Sequence, residues 1–204
     1  KVTEKVIFIS NWIKDYVNKM PTKAQSLVIG ISGGIDSSVS SALSAMTGLK
    51  TIVLSMPIKQ KLTQYDLSLK HQKWLIKNFK NVETHTVELD KLFDNFKSTL
   101  SKFENEHGMA NSRARLRMLT LYQVAAANKG IVVGTGNKVE DFGVGFYTKY
   151  GDGGVDISPI ADCNKTEVWE MGKELNILEE IINAAPTDGL WDDGRTDEGQ
   201  LGLK

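Results

Sequence analysis

The sequence is poor in the residues that build metal and redox sites, with a single cysteine and three histidines among 204 residues. Cys163 has no second cysteine with which to form an internal disulfide or a cysteine-rich zinc site. The histidines at positions 71, 85 and 107 are too scattered to suggest a histidine-based metal site. These absences exclude disulfide scaffolds and zinc domains as the first hypotheses.

Net charge and long apolar runs are also lacking. The 25 Lys and Arg residues balance 25 Asp and Glu residues, so the chain has no overall basic field of the kind that nucleic-acid-binding proteins use. No apolar run approaches the roughly 20 residues that span a bilayer, and no secretory leader is visible. We therefore expect a soluble, cytoplasmic protein with neither a nucleic acid nor a membrane as partner.

Short apolar runs alternate with longer amphipathic segments along the chain. Strands are predicted over 26–31, 51–54, 82–87 and 131–133, of which the first two are predicted to be buried, with a short fifth strand over 155–157. Helices are predicted over 2–20, 37–46, 65–78, 89–103, 112–128, 166–175 and 178–184. This alternation predicts an α/β fold with a doubly wound parallel sheet, in one domain over residues 1–204. We expect the natural chain to continue beyond Lys204.

The loop after the first strand carries the strongest chemical signal, the segment Ser-Gly-Gly-Ile-Asp-Ser-Ser at 32–38. Ligands of parallel sheets bind beyond the carboxyl ends of the strands. The adjacent glycines expose backbone N–H groups, and the helix that follows adds its positive end, which together suit a phosphate. Asp36 would repel a phosphate unless a cation lay between them, so the loop indicates a magnesium-bridged polyphosphate. The alternative is a glycine-rich turn with Asp and Ser capping the helix.

Four further segments stand out. Residues 133–140 follow the fourth strand and end in Glu140, a candidate second magnesium carboxylate. Residues 146–156 combine glycines with tyrosines, which is typical of a ligand loop. Lys165 stands at a helix start, where a cation is unfavourable without an anionic ligand. Arg113, Arg115 and Arg117 cannot share one helix face, so at least one turns inward or toward a ligand, although a solvated basic turn remains open for the first and last.

The loop at 32–37 resembles the pyrophosphate loop of the N-type ATP pyrophosphatases, which cleave ATP between the α- and β-phosphates to adenylate a substrate oxygen. With the segments Ala-Arg-Leu-Arg-Met at 114–118, Gly-Thr-Gly-Asn at 134–137 and Thr-Lys-Tyr-Gly-Asp-Gly-Gly at 148–154, the chain resembles the ammonia-dependent NAD synthetases. The resemblance runs from Gly30 to Gly202 and implies ATP-dependent amidation of deamido-NAD by ammonia. It also implies Mg2+ as cofactor and a homodimer, for which the apolar face of the first helix is a candidate surface.

The resemblance implies roles for individual residues. Asp36, Glu140 and Lys165 are the implied catalytic residues, and Asp36 and Glu140 the implied magnesium ligands. Arg115, Lys149 and Asp156 are the implied contacts of deamido-NAD. The implied ATP contacts are Gly30, Ile31, Ser32, Gly33, Gly34, Ile35, Asp36, Ser37, Thr135, Lys165 and Thr187.

One departure from the family pattern concerns Ser55, which stands where many members carry an arginine. We expect an ATP contact to be lost there or supplied by Lys59 or Lys61. Two alternatives to NAD synthesis remain open at this point. One is another N-type ATP pyrophosphatase, such as a GMP synthetase core or a tRNA-modifying enzyme, and the neutral charge disfavours the latter. The other is a non-catalytic adenine-nucleotide-binding module, which the intact Asp36, Glu140 and Lys165 disfavour.

Overall fold

A parallel sheet forms the centre of the protein in the computed structural model, which describes residues 1–185. Its strands are β1 (Ser26–Ile31), β2 (Thr51–Ser55), β3 (Val82–Thr86) and β4 (Gly130–Val132). In this part of the chain they lie in the order β3-β2-β1-β4, and every neighbouring pair is parallel. The four segments predicted as strands are thus the four strands of the sheet.

The helices connect and cover these strands. They are α1 (Val2–Lys19), α2 (Ile35–Met46), α3 (Leu62–Asn78), α4 (Asp90–Thr99), α5 (Glu106–Ala127), α6 (Lys165–Glu174) and α7 (Glu179–Ile182). A 3-10 turn covers Ser101–Phe103, and a π-helical turn covers Val139–Val144. Among residues 1–185 no helix has both the length and the apolar composition that crossing a membrane requires.

Alternating side chains of the central strand feed two separate cores. Leu27, Ile29 and Ile31 of β1 pack with α1, α2 and α6 on one face of the sheet. Val28 packs with Met118 and Leu121 of α5 on the other face. Because β1 is covered on both faces, its residues are apolar from Leu27 to Ile31. This two-sided covering is the doubly wound α/β fold predicted from the sequence.

Four details differ from the sequence-based expectations. The fifth strand is only a single bridge between Val133 and Ile157. Helix α5 begins at Glu106, six positions before the predicted start, because Asn105 caps it by accepting the Gly108 N–H at 2.8 Å. The segment predicted as one helix over 89–103 is divided into α4 and the 3-10 turn. The helix predicted over 178–184 is the four-residue α7.

The apolar face of α1 is also used differently from our expectation. Val6, Ile9, Ile13 and Val17 are buried in the protein's own core, so this face is not available to a second copy. Burying it stabilises the fold by removing apolar surface from water. The outward-facing aromatic residues of α1 are Phe8, Trp12 and Tyr16, which are 69%, 40% and 42% exposed.

The strand order creates a crevice at the carboxyl end of β1. The chain leaves β1 toward β2 on one side, whereas β4 pairs with the other side of β1. Such a reversal in strand order is where open α/β sheets bind ligands. The loops that follow β1 and β4 meet there.

Candidate active site

A cavity of about 610 Å³ opens at this crevice. It is of the size typical for small-molecule and cofactor sites. Most of the residues singled out in the sequence line it, namely Gly30, Ile31, Ser32, Gly34, Ile35, Asp36, Ser37, Arg115, Thr135, Glu140, Lys149 and Lys165. The structure therefore gathers residues from four distant segments around one space.

The glycine-rich loop after β1 holds its shape through its own serines. The Ser32 N–H donates to Ser37 Oγ at 3.1 Å, and the Gly34 N–H donates to Ser32 Oγ at 3.2 Å. Gly33 has φ +88°, and a Cβ there would lie 2.6 Å from the Gln64 carbonyl oxygen of α3. Only glycine fits this position, which borders a small neighbouring pocket rather than the main cavity. Helix α2 begins directly after the loop, at Ile35, so its first N–H groups lie at the cavity.

Lys165 lies between two carboxylates at the cavity wall. Its Nζ hydrogen-bonds Asp36 Oδ2 and lies 3.2 Å from Glu140 Oε1. Burial alone would lower the pKa of Lys165, but the charges and hydrogen bonds of Asp36 and Glu140 outweigh it and raise the pKa. Lys165 is the first residue of α6, as predicted, and its charge at this helix start is balanced by the carboxylates.

Asn137, which is not among the predicted site residues, connects Asp36 to the backbone at Glu140. It is fully buried, and its Nδ2 donates to Asp36 Oδ1 at 3.2 Å. Its Oδ1 accepts the N–H groups of Val139 and Glu140 at 3.0 and 3.2 Å. One amide thus fixes one carboxylate and the backbone of the other. Its position in the segment after the fourth strand was the available signal.

The two carboxylates fit a magnesium ion by their chemistry. Asp36 and Glu140 approach the same ammonium group, so a cation placed between them would meet carboxylate oxygens from both sides. No group of three or more His, Cys, Asp or Glu side chains arranged for a metal occurs within residues 1–185. Magnesium is commonly bound by one or two carboxylates together with substrate phosphates.

Of the implied deamido-NAD contacts, two line the cavity and one does not. Arg115 Nε donates to the Lys149 carbonyl at 3.0 Å, which ties α5 to the glycine-rich segment at 146–156. Asp156 is not among the lining residues, because Oδ1 accepts the Tyr122 hydroxyl at 3.1 Å and Oδ2 accepts the Val132 N–H at 2.7 Å. Its proposed role remains a prediction. Thr187 lies outside the described residues.

The alternative of a solvated basic turn is wrong for Arg113, which is only 6% exposed. Its guanidinium lies 4.8 Å from the centre of the Phe93 ring, a cation–π contact that compensates part of the loss of water. Arg117 lines the cavity, and its Nε donates to the Met56 carbonyl at 3.0 Å. Arg115 and Arg117 thus both border the cavity, whereas Arg113 is buried against Phe93, so the three arginines do not share one environment.

Neither Ser55 nor the two lysines proposed as replacements for an arginine there lines the cavity, which favours loss of that ATP contact. Ser55 is buried, and its Oγ donates to Ser68 and accepts from Gln72 Nε2 at 2.8 Å. Lys59 pairs through Nζ with Asp94 at 2.6 Å. In the described structure Gln60, rather than Lys59 or Lys61, lines the cavity from this loop.

Acidic and aromatic residues that the sequence analysis did not assign complete the wall. Phe146, Tyr147 and Asp152 line the cavity, and Asp152 accepts the Thr148 N–H at 2.7 Å. Asp141 packs against Gly136, where a Cβ would lie 2.1 Å from its carboxylate. Burial and the neighbouring charges of Asp152 and Asp36 raise the pKa of Asp141. These residues come from the π-helical turn and the loop after it, whose shape no simple periodicity encodes.

The parallel sheet, the glycine-rich loop at a helix start and the cluster of two carboxylates with a lysine define an α/β enzyme of the adenine-nucleotide-binding, ATP pyrophosphatase class. The comparisons are more specific. The family model for NAD synthase matches residues 6–204, and the chain belongs to the NAD synthase family.

Individual relatives agree with this assignment. An NH(3)-dependent NAD(+) synthetase of Mesoplasma florum is 39% identical, over 100% of this chain and 81% of the relative. One from Carboxydothermus hydrogenoformans is 37% identical, over 98% of this chain and 80% of the relative.

Two solved structures share the fold closely. An NMN synthetase from Francisella tularensis matches with a TM-score of 0.92 and 35% identity, covering 100% of this chain and 82% of that one. An NH3-dependent NAD synthetase from Campylobacter jejuni, in complex with nitrate, matches with a TM-score of 0.80 and 29% identity, covering 89% of this chain and 76% of that one.

Proposed function

We propose that this chain converts deamido-NAD to NAD by ATP-dependent amidation with ammonia, releasing AMP and pyrophosphate. Membership of the NAD synthase family supports the reaction class. The observation that carries the proposal to particular residues is the contact of Lys165 with Asp36 and Glu140 beside the glycine-rich loop. The lysine of that cluster can bind an anionic polyphosphate, and its two carboxylates can bind the accompanying cation.

In the first step a carboxylate oxygen of the substrate attacks the α-phosphorus of ATP. The bond from the α-phosphorus to the bridging oxygen of the β-phosphate breaks, and pyrophosphate leaves with the electron pair. Negative charge grows on the leaving oxygens, where Lys165 and the N–H groups at the start of α2 stabilise it. A magnesium ion held by Asp36 and Glu140 would neutralise charge on the departing pyrophosphate.

In the second step the nitrogen of ammonia attacks the carbonyl carbon of the acyl-adenylate. The bond from that carbon to the phosphate oxygen of AMP breaks, the nitrogen loses one proton, and the amide remains. Arg115 and Lys149 carry positive charge on the same cavity and would hold the anionic substrate in place. Asp152 also lines this cavity.

The test is a product assay with ATP, Mg2+, ammonium and deamido-NAD. NAD and AMP should appear in equal amounts, and leaving out ammonium should abolish NAD. AMP release without any NAD, in the presence of all four reactants, would overturn the proposal. An Asp36→Asn variant controls for a contaminating synthetase.

A second candidate is the same amidation on a mononucleotide, yielding NMN. The Francisella tularensis NMN synthetase fits this fold with the higher TM-score and identity of the two solved structures, which is the observation that favours it. The two candidates share one chemistry and differ in substrate length. Measuring kcat/KM for deamido-NAD and for nicotinate mononucleotide separates them, and a clear preference for the mononucleotide would replace our first assignment.

We also propose that the enzyme works as a homodimer in the cytoplasm. Exposed aromatic residues on α1 support an association surface on that helix. Sedimentation analysis would test the dimer. The use of ATP and the reduced, buried Cys163 support the location.

A further inference from the structure

Helix α6, which begins with Lys165, contacts two neighbouring helices. Residues seven positions apart lie on the same side of a helix, and each contact uses two residues with this spacing. One face packs on α2. Lys165 contacts Asp36, and two turns later Gly172 approaches Ile35 so closely that a Cβ would lie 2.6 Å from Ile35 Cδ1. Asp36 and Ile35 are neighbours in the first turn of α2. Helix α6 is therefore aligned along the helix start that borders the phosphate loop.

The other face of α6 is tied to α1 at both ends. Lys5 Nζ hydrogen-bonds Glu167 Oε1 near the start of α6. Thr3 Oγ1 donates to Glu174 Oε1 at 2.6 Å near its end. Helix α1 is itself fixed in the core through its buried apolar face, so these contacts connect α6 to a rigid element.

Glu167 has a second role at the same point. Its Oε2 accepts the Asn164 N–H at 2.9 Å, while Asn164 Oδ1 accepts the Glu167 N–H at 2.9 Å. This reciprocal capping box fixes the turn in which Lys165 lies. The carboxylate of Glu167 thus links Lys5 of α1 to the backbone directly before Lys165.

We propose that the Lys5–Glu167 ion pair positions Lys165 for the adenylation step. Lys5 and Glu167 have side chains 37% and 33% exposed, so the pair itself contributes little to stability. Its effect is on geometry, since a small misplacement of a group that stabilises a transition state costs rate. The inference rests on the proposed function only for its kinetic readout.

Four variants separate the ion pair from the cap. Lys5→Met removes the charge and keeps much of the length, and Lys5→Arg restores the charge. Glu167→Gln loses the ion pair but keeps an oxygen that can accept the Asn164 N–H. Lys14→Met, an exposed lysine elsewhere on α1, is the matched control.

Turnover is measured for each variant well below its own unfolding temperature. We expect Lys5→Met and Glu167→Gln to lower kcat by about tenfold, while KM for ATP changes by less than about twofold. Lys5→Arg should recover most of the rate, and Lys14→Met should match the wild type. An unchanged kcat in Lys5→Met, or a loss that Lys5→Arg does not restore, would overturn the proposal.

A double-mutant cycle tests whether Lys5 acts through Lys165. Lys165→Met should lower kcat by about 100-fold, and adding Lys5→Met to it should change nothing further. Additive losses would mean that Lys5 acts by another route, against the proposal.

A readout that needs no turnover keeps the inference separate from the function. Acetylation of Lys165 by acetic anhydride is followed by mass spectrometry, relative to Lys173 of the same helix. The ratio should rise several-fold in Lys5→Met if the pair holds Lys165 between its carboxylates, and an unchanged ratio contradicts the proposal. A wild type that forms no NAD, with the ratio still rising, would refute the proposed function alone.

Discussion

Lys165 lies at a position that is electrostatically unfavourable within its own helix but favourable in the folded protein. A cation at a helix start meets the positive end of the helix dipole. Asp36 and Glu140, which are 129 and 25 positions away in sequence, remove that conflict by hydrogen bonding its Nζ. Local rules that fail at a particular residue commonly mark a functional site.

The carboxylates allow a direct test at this scale. Asp36→Asn and Glu140→Gln replace a charged oxygen pair with a neutral amide that binds a hard cation far less well. We expect each change to lower turnover by about 100-fold or more and to raise the Mg2+ concentration needed for half-maximal rate. Steady-state assays over a range of Mg2+ measure both quantities.

Asp15→Asn, an exposed carboxylate on α1, is the control for these two variants and should behave as the wild type. Near-normal turnover with an unchanged Mg2+ requirement in both site variants would show that these carboxylates do not bind the metal.

The residues of the site differ in how well the sequence predicts them. Asp36 was predicted because its loop carries a recognisable pattern and the carboxyl end of a strand is where ligands bind. Asn137 was not predicted, because its importance lies in a contact with Asp36 that only folding creates. For Asp156 the family resemblance implied a substrate contact, but the side chain accepts hydrogen bonds from the Tyr122 hydroxyl and the Val132 N–H, a pairing that depends on how α5 lies on the sheet.

Among the elements, the loop from β1 to α2 depends on its neighbour α3. Gly33 brings the loop backbone against the Gln64 carbonyl, and its positive φ adds a second reason for glycine. Strands β1 and β2 were predictable to within about one residue because buried parallel strands are mostly apolar. The division of residues 89–103 was not predictable, because no proline or glycine marks the end of α4.

A comparison of Gly33→Ala with Gly48→Ala separates the cost of backbone strain from the cost of steric crowding. Both glycines have positive φ, +88° and +76°, but a Cβ at Gly48 would meet nothing within 4 Å. We expect Gly48→Ala to cost only the conformational strain, about 1 kcal/mol of unfolding free energy. Gly33→Ala should cost clearly more and also impair ATP use, because the loop must move away from α3.

Urea unfolding of the two glycine variants measures the difference. Equal losses in both would mean that α3 yields to the added methyl group and that the close approach carries no constraint.

At the scale of the whole molecule, stability depends on groups far from the cavity. His71 of α3 is buried against α2, with Nε2 2.9 Å from Ser41 Oγ and its ring stacked on Trp74. Burial lowers the pKa of His71 to about 3. Its neutral form therefore belongs to the folded state, and the unfolded chain takes up a proton at a higher pH.

The stability of the folded protein should therefore decrease in acid. As pH falls below about 6.5 the unfolded chain binds a proton that the folded chain does not, so the unfolding free energy decreases, by about 2 kcal/mol at pH 5. Urea unfolding at pH 7 and pH 5 measures this loss. His71→Gln should flatten the dependence, and His85→Gln, an exposed control, should not. An equal decrease in wild type and His71→Gln would assign it to other groups.

The nitrogen source is also a property of the whole chain. Use of glutamine requires a second active site with an activated cysteine nucleophile. Cys163 is the only cysteine in the sequence, and it is buried in the core on the face covered by α1 and α6. Burial raises the pKa of its thiol, the reverse of activation. We therefore expect NAD formation with ammonium and none with glutamine as the only nitrogen source.

The nitrogen source is tested further by varying the pH and by replacing Cys163. Because ammonia rather than ammonium is the nucleophile, the apparent affinity for total ammonium should improve as pH rises. Cys163→Ser should keep its rate with ammonium, since no step passes through the thiol. Glutamine-supported turnover comparable to that with ammonium, and lost in Cys163→Ser, would reveal a glutaminase function and overturn the prediction.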